Sequence, residues 1–316
     1  MLIMNCGRIG HMEVSMSSGT GPMASSGAPA GSSGTTAAAP APAMAAERPA
    51  SHLYYVRVWH GPVGTGVSGT RYVELFGYAK VSEPDDNPYV VVNELVAARI
   101  GALIGLPVPP GMLIPTPAPA IGAGWVTMSF LNAPGALPPV NAGKAVAALP
   151  NVAAGVVVFD ILIANSDRHG GNLALTAGPV LAAGGPAPGD RLEVFDHSHA
   201  LVRFGHPTVA DYLSSITDKL VIDGALLPES NRCVLLDHVA SVQGILAWCQ
   251  RLRTILSDAA IDEICEEAAM VTPAFTSTDA AALADFLKHR RDTIEDLARA
   301  AKDEFKAIPN ADWTTS

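Results

Sequence analysis

The sequence predicts an α+β fold, with a small sheet and one helix in its first half and a mainly helical second half. From about residue 53 to residue 128, short runs rich in β-branched and aromatic residues alternate with Gly- and Pro-containing turns, which is typical of strands. After Pro207, apolar residues recur at helical spacing nearly to the end of the chain. We therefore expect three parts: a tail over residues 1–50, a first structured part over residues 51–133 and a second over residues 134–316.

The tail consists almost entirely of Gly, Ala, Ser, Pro and Met. Such a segment cannot bury enough apolar area to offset the entropy of ordering, so we expect it to be disordered. The whole chain has 316 residues, of which 49% are hydrophobic. That is enough for a large two-part domain with a sizeable core.

The net charge and the cysteine spacing argue against several classes of protein. The net charge of −10 argues against a nucleic-acid or anionic-membrane binder, because both need clustered Lys and Arg. No apolar run reaches the ~20 residues of a membrane span, and the N-terminus lacks the features of a signal peptide. The cysteines show no C-x-x-C spacing; they are Cys6, Cys233, Cys249 and Cys265. We expect free thiols and a cytoplasmic protein without membrane insertion.

The first structured part contains five strand-like runs, over residues 53–59, 72–75, 77–81, 112–114 and 125–128. A Gly-rich turn that includes Gly64 and Gly66 follows the first run. Between the third and fourth runs, residues from Asn93 to Ile104 have helical periodicity, and Gly105 with the prolines after it ends that helix.

The boundary with the second structured part falls within a Pro-, Gly- and Ala-rich stretch over residues 132–150. A nearly all-apolar helix is predicted over residues 152–163, and a hairpin over 173–175 and 192–195. Helices should follow to the end of the chain, with residues 288–291 (Lys-His-Arg-Arg) as a solvated face of the last one.

Between the apolar helix and the hairpin, residues 167–172 read Asp-Arg-His-Gly-Gly-Asn, and Asp196 follows the hairpin. These are the working parts of a phosphoryl-transfer site: Asp167 can accept the proton of an attacking hydroxyl, while Asn172 and Asp196 can hold Mg²⁺ against a triphosphate. The hexapeptide alone could be an ordinary Asx-rich turn. The helix before it and the hairpin after it favour the catalytic interpretation.

This arrangement resembles the HipA-like kinases and, more distantly, the phosphatidylinositol kinases, which share a D-R-H-x-x-N loop. The resemblance lies in residues 165–173 and 195–201, supported by residues 93–99, 105–109 and 286–291, and it spans residues 52 to 300. It implies a two-lobed protein-kinase-like fold, with residues 51–133 as the N-terminal lobe and 134–316 as the catalytic lobe. It also implies ATP- and Mg²⁺-dependent transfer to a hydroxyl. The resemblance leaves two acceptors open, a protein Ser or Thr and an inositol lipid, and the acidic chain favours the protein.

The candidates for holding the nucleotide are Lys80, Glu94, Gly64, Gly66, Ser129 and Phe130. Lys80 follows the Gly-rich turn and Glu94 opens the next helix, so the two could pair over the phosphates. A surface lysine and a helix-terminal acid are the alternative. The glycines could let backbone N–H groups approach the phosphates, or could form a flexible hairpin. Ser129 and Phe130 fall where the connection between the lobes should meet adenine.

The loop also contains Arg168 and His169. Arg168 could pair with a carboxylate or with a phosphate. The ring nitrogens of His169 could stabilise the loop by hydrogen bonds. In the family that the loop resembles, the segment after the second acid is commonly D-H-G-H, and Ser198 here replaces the glycine. If that position takes a positive φ, the serine costs about 1 kcal/mol or more in strain.

Two other functions stay open at this point. An inactive nucleotide-binding pseudokinase or interaction module would keep Lys80 and Asp196 without turnover. A metal-dependent hydrolase would use Asp196, His197 and His199 as metal ligands.

The composition of the tail yields a first prediction. Deleting residues 1–50 should leave the melting temperature and nucleotide binding unchanged, because the segment cannot contribute to a core. Thermal denaturation of the full and shortened chains tests this, and a drop of several degrees in the shortened chain would contradict it.

Overall fold

The computed structural model describes residues 56–62, 71–82, 87–116, 120, 122–130, 139–176, 190–221 and 232–314. Contacts divide the chain into two units, of which the smaller contains the described residues 59–62 and 71–74. The larger includes Leu75–Ser316 and every side chain of the candidate site discussed below. The predicted tail, the Gly-rich turn with Gly64 and Gly66, Cys6, and the predicted boundary between residues 133 and 134 lie outside the described residues.

Seven strands form three small sheets within the described residues. The strands are β1 Val56–Pro62, β2 Arg71–Leu75, β3 Gly77–Lys80, β4 Gly111–Pro115, β5 Ala123–Met128, β6 Leu173–Thr176 and β7 Arg191–Val194. The sheets are β1-β2, the antiparallel β3-β5-β4 and the antiparallel hairpin β6-β7. The strand runs and the hairpin were therefore predicted correctly, although β1 continues to Pro62. Lys80 lies at the end of β3, opposite Trp125 of the central strand β5.

Eight α-helices lie among the described residues: α1 Val90–Ile104, α2 Ala142–Ala148, α3 Pro150–Leu162, α4 Val209–Ile216, α5 Val242–Ile255, α6 Asp258–Ala269, α7 Ser277–Asp292 and α8 Ile294–Ala300. Helix α1 ends at the predicted glycine, Gly105, which takes the left-handed conformation with φ 82°. Helix α2 was not predicted. Its Ala- and Gly-rich sequence has a weak apolar pattern, and its start is stabilised by the Asn141 side chain, which accepts a hydrogen bond from the backbone N–H of Lys144.

Helix α3 is the centre of the helical part. Pro150 occupies its first turn, where a missing N–H is tolerated, and all residues from position 153 to 162 are buried. It packs against α5, α7 and α8. Gly155 allows the ring of Trp248 to lie directly against its backbone, since any Cβ there would overlap the ring. Because α3 is surrounded by protein, it sets the position of the loop that follows it.

No single helix of the described part of the chain is long and apolar enough to cross a membrane. The bent pair α2 and α3, with 119° between them, passes that test together by length and composition.

Side-chain caps define the starts of the later helices. Thr208, Ser241 and Ser257 each accept a hydrogen bond from a backbone N–H in the first turn of α4, α5 and α6. Helix α7 begins with a full capping box between Thr276 and Asp279. The sequence therefore encodes these boundaries locally.

The prediction that residues 288–291 form a solvated face of α7 was wrong for Arg290 and Arg291, which are 0% and 9% exposed. Arg290 donates hydrogen bonds to the backbone carbonyls of Ile161, Leu162, Ile216, Thr217 and Lys219. The last carbonyls of a helix have no partner within it, so a buried guanidinium can satisfy the ends of α3 and α4 together. Burial lowers the pKa of Arg290 to about 10, which leaves it charged at neutral pH.

Replacing this guanidinium should destabilise the protein. Arg290→Leu leaves several buried carbonyls without donors, so the free energy of unfolding should fall by about 3 kcal/mol or more. Urea denaturation measures it. Arg253→Leu on α5 is the control: its partner is Glu295 in an exposed ion pair, and a change under about 1 kcal/mol is expected there. Equal effects of the two changes would contradict the role given to Arg290.

Candidate functional site

The loop after α3 brings Asp167 and Asn172 together, as predicted. The Asn172 Nδ2 donates to the Asp167 backbone oxygen at 2.7 Å and lies 3.4 Å from the Asp167 carboxylate. These bonds occupy the amide nitrogen, so the Asn172 Oδ1 is the atom left to contact a ligand. The His169 Nδ1 accepts the backbone N–H of Gly171 at 3.0 Å, which is the bracing role expected for this histidine.

Arg168 is fully buried, and its partner is a carboxylate rather than a phosphate. Its guanidinium forms an ion pair with Asp160 of α3, whose side chain is also 0% exposed, with Nη2 to Oδ1 at 3.0 Å. The Nη1 of Arg168 donates to the backbone oxygens of Asn172, at 3.0 Å, and Phe195, at 2.8 Å. The residue that the sequence analysis missed is Asp160. A lone acid in an otherwise apolar helix, eight residues before an arginine, was the available signal.

The hairpin returns the chain from Asn172 to Asp196. Leu173 pairs with Val194, and the backbone N–H of Phe195 donates to the Asn172 carbonyl at 3.3 Å. The two predicted metal ligands therefore flank the open end of one hairpin, with Asn172 directly before β6 and Asp196 shortly after β7.

The sequence analysis considered backbone strain at Ser198, but the positive φ angles lie at other residues. Among the described residues, Ala164, Asp196 and Leu201 are the non-glycine residues with positive φ, and Ser198 is not one of them. The Ser198 hydroxyl instead donates to the Asp196 Oδ1 at 2.7 Å. Ser198 thus adds a hydrogen bond to the acid, without left-handed strain at its own position.

Lys80 and Glu94 form the predicted pair, with Nζ to Oε1 at 2.7 Å. Glu94 is 3% exposed. The Lys80 ammonium also donates to the Asp196 Oδ1, a contact that was not predicted. The strand β3, the helix α1 and the segment after β7 therefore meet at one cation.

The charges in this cluster stabilise one another. Burial by itself would raise the pKa of Asp196, but the ammonium of Lys80 and hydrogen bonds from Lys80 and Ser198 hold that pKa at about 2. Burial would likewise raise the pKa of Glu94, yet His197 and Lys80 lower it below its usual value. The pKa of Lys80 is raised: burial opposes this, and Glu94 and Asp196 outweigh it. At neutral pH the cluster is a lysinium between two carboxylates.

The residues present fit Mg²⁺ shared with a nucleotide. Mg²⁺ commonly takes one or two protein oxygens and completes its shell with water and phosphate. The ionised Asp196 and the Asn172 Oδ1 supply such oxygens. In the part of the chain that the structure describes, no group of three or more His, Cys, Asp or Glu could hold a metal. His197 is buried with its ring 5.7 Å from that of Phe159, and His199 is exposed, so the geometry does not favour the hydrolase alternative.

The structure describes both candidates for contacting adenine, Ser129 and Phe130. The Ser129 N–H donates to the Phe76 carbonyl at 2.9 Å, so it is not available to a base. The ring of Phe130 packs against that of Phe195, with centroids 5.8 Å apart. Residues 131–138, which continue this connection, lie outside the described residues.

The remaining cysteines agree with the sequence analysis: Cys233, Cys249 and Cys265 are free and buried. Burial raises the pKa of each thiol to about 12, so these groups are unreactive at neutral pH.

Comparison with known proteins gives likenesses only at the level of structure. No protein-family model matches the chain, and no curated protein matches it. The chain is similar to the Helicobacter pylori proinflammatory kinase CtkA, with 18% identity and a TM-score of 0.49 over 73% of this chain and 91% of that one. It is also similar to a Shewanella oneidensis structure of HipA, HipB and operator DNA, with 14% identity and a TM-score of 0.37 over 79% of this chain and 68% of that one.

The buried pair beneath the loop generates a prediction. Asp160→Asn leaves the Arg168 charge without its counter-ion in a dry environment, so the free energy of unfolding should fall by about 3–5 kcal/mol. Glu267→Gln is the matched control. Glu267 forms a similar two-point pair with Arg99, but on the exposed surface, where about 0–1 kcal/mol is expected. Chemical denaturation of both variants tests the difference. Similar losses of unfolding free energy in the two variants would contradict the role given to the buried pair.

Proposed function

We propose that the protein is a kinase with a two-lobed protein-kinase-like fold that transfers the terminal phosphoryl group of ATP to a hydroxyl in the presence of Mg²⁺. One observation carries the proposal: the Lys80 ammonium joins the buried Glu94 to Asp196, while Asp167 and Asn172 are hydrogen-bonded in the preceding loop. A cation, two acids, an amide and a third acid, in this order along the chain, suit the binding and transfer of a phosphoryl group.

In this proposal Lys80 binds the nucleotide phosphates. Its ion pair with Glu94 restrains the long side chain, so less conformational entropy is lost when the phosphates bind. The ammonium already lies beside Asp196, which places the phosphate-binding cation next to the acid that would hold Mg²⁺. Asp196 and Asn172 would be the ligands of Mg²⁺, which when bound neutralises negative charge on the phosphates.

Asp167 would orient the acceptor hydroxyl and accept its proton. Its backbone N–H is held by the Asn165 side chain at 3.1 Å, and its backbone oxygen by Asn172 at 2.7 Å, so the backbone that carries this carboxylate is restrained. The transfer of a phosphoryl group needs little covalent help from the protein. Catalysis would consist mostly of positioning and charge stabilisation.

The acceptor that we propose is a Ser or Thr hydroxyl on a protein, including this chain itself. A lipid kinase must approach an anionic membrane and so benefits from basic clusters near the acceptor end of its site. In residues 197–212, Arg203 is the one residue that always carries a positive charge, and Asp211 is also present. Arg203 is bound to the Ser166 hydroxyl and to the His199 carbonyl. The net charge of −10 also disfavours a membrane surface.

The test separates binding from turnover. Asp196→Ala should abolish the thermal stabilisation by Mg-ATP, because it removes a charged metal ligand. Asp167→Ala should bind Mg-ATP nearly as well as the parent protein, yet lose transfer by about 10²- to 10⁴-fold, since its partner is the acceptor. The readouts are thermal shift with Mg-ATP, Mg²⁺ alone and Zn²⁺, and transfer of label from ATP to polypeptide.

Asp262→Ala serves as the control, because Asp262 pairs with Lys288 in a surface ion pair of α6 and α7. It should behave as the parent in both assays. Stabilisation of Asp196→Ala by Mg-ATP equal to that of the parent would contradict the metal assignment. Binding without any transfer would identify an inactive nucleotide-binding protein, and labelling of phosphoinositide vesicles alone would overturn the proposed acceptor.

A further inference from the structure

Asn93 lies on α1, directly before Glu94, and its side chain is fully buried. The side chain contacts the chain that follows Asp196. Its Nδ2 donates to the backbone oxygens of Ser198, at 2.9 Å, and Val202, at 2.8 Å. Its Oδ1 accepts the backbone N–H of Val202 at 3.0 Å. A primary amide can donate two bonds and accept another from one planar group, so a carboxylate or an aliphatic side chain could not replace it.

The segment that Asn93 holds is strained at both ends. Asp196 has φ 58° and Leu201 has φ 52°, both in the left-handed region. Side chains other than glycine persist there only where the surrounding structure imposes the conformation. The hydrogen bonds of Asn93 end on Ser198, two residues after the first strained position, and on Val202, next to the second. Asn93 is therefore placed to keep both strained residues in their conformation.

Glu94 binds the start of the same segment. Its Oε1 accepts the backbone N–H of His197 at 2.8 Å and also binds the Lys80 ammonium. Two consecutive side chains of α1 thus hold residues 197–202. Asp196 lies directly before the first of these attachments.

We propose that Asn93 is a positioning residue, which fixes the segment after Asp196 to α1 so that Asp196, Glu94 and Lys80 keep their arrangement when no nucleotide is bound. Helix α1 could not move away from Asp196 without breaking these buried bonds. The consequence for Mg-ATP rests on the proposed function, whereas the attachment itself can be measured without any ligand.

The direct test is hydrogen exchange of the His197 amide in the full chain without nucleotide. That N–H binds Glu94 and has no contact with Asn93, so an effect on it reports the position of the segment. Asn93→Ala should speed its exchange by at least about tenfold relative to the parent, since three buried hydrogen bonds are lost. Ile100→Ala is the control: it creates a cavity in the same helix, at a residue that is also 0% exposed.

The exchange rate of each variant is first corrected for its own free energy of unfolding, measured in urea. The inference then requires faster exchange of the His197 amide in Asn93→Ala than in Ile100→Ala. If the two variants exchange alike, Asn93 is only a structural core residue and the inference fails. Asn93→Asp is a second variant, for use if Asn93→Ala does not fold. It keeps an acceptor for the Val202 N–H but loses both donated bonds, and it should also speed the exchange at His197.

The functional consequence has a separate readout. Asn93→Ala should raise the Mg²⁺ concentration needed for half-maximal stabilisation by ATP several-fold, because Asp196 is no longer held in place, while Ile100→Ala should leave it unchanged. An unchanged Mg²⁺ requirement in Asn93→Ala would overturn the positioning role. Absence of any Mg-ATP effect in the parent protein would instead refute the proposed function, and the exchange result would still decide whether Asn93 holds the segment.

Discussion

The ion pair between Asp160 and Arg168 is the interaction on which the rest of the candidate site depends. Two unit charges with no exposed surface are expensive to desolvate, and such a pair persists only when further hydrogen bonds complete it. Here Asn165 donates to Asp160, and Arg168 donates to the carbonyls at both ends of the hairpin. The central helix, the loop with Asp167 and the strand end before Asp196 are thereby joined at one guanidinium.

A second constraint acts on the other side of the site, where Lys80 lies between two carboxylates. Without the lysine, Glu94 and Asp196 would repel each other, and burial would favour their protonation. The lysine, together with His197 at Glu94, keeps both carboxylates ionised, which is the form that binds cations. The two clusters meet at Asp196, whose left-handed backbone is held from one side by the Arg168 network and from the other by α1.

Structural features that depend only on neighbouring residues were predicted correctly from the sequence. Gly105 ends α1, as predicted, because the left-handed C-cap favours glycine. The errors concern long side chains with distant partners. Arg290 belongs to a charged tetrapeptide that resembles a surface, yet its partners are carbonyls of α3 and α4, more than seventy residues away along the chain. Helix α2 was missed because its alanines give no apolar period; it packs against α3.

By itself the sequence determined the mixed α+β class, the order of the strands and of the helices other than α2, and a set of candidate site residues, since spacing and residue type carry that information. It placed Asp167 and Asn172 on a loop and Asp196 after the hairpin that follows. These segments are close in sequence, so their contacts are short-range. Tertiary structure alone decided that Lys80 reaches Asp196 as well as Glu94, that Arg168 pairs with Asp160, and that Asn93 holds the segment after Asp196. Each of these contacts joins residues whose approach depends on how whole elements pack, and that packing depends on the burial of the core rather than on any local pattern.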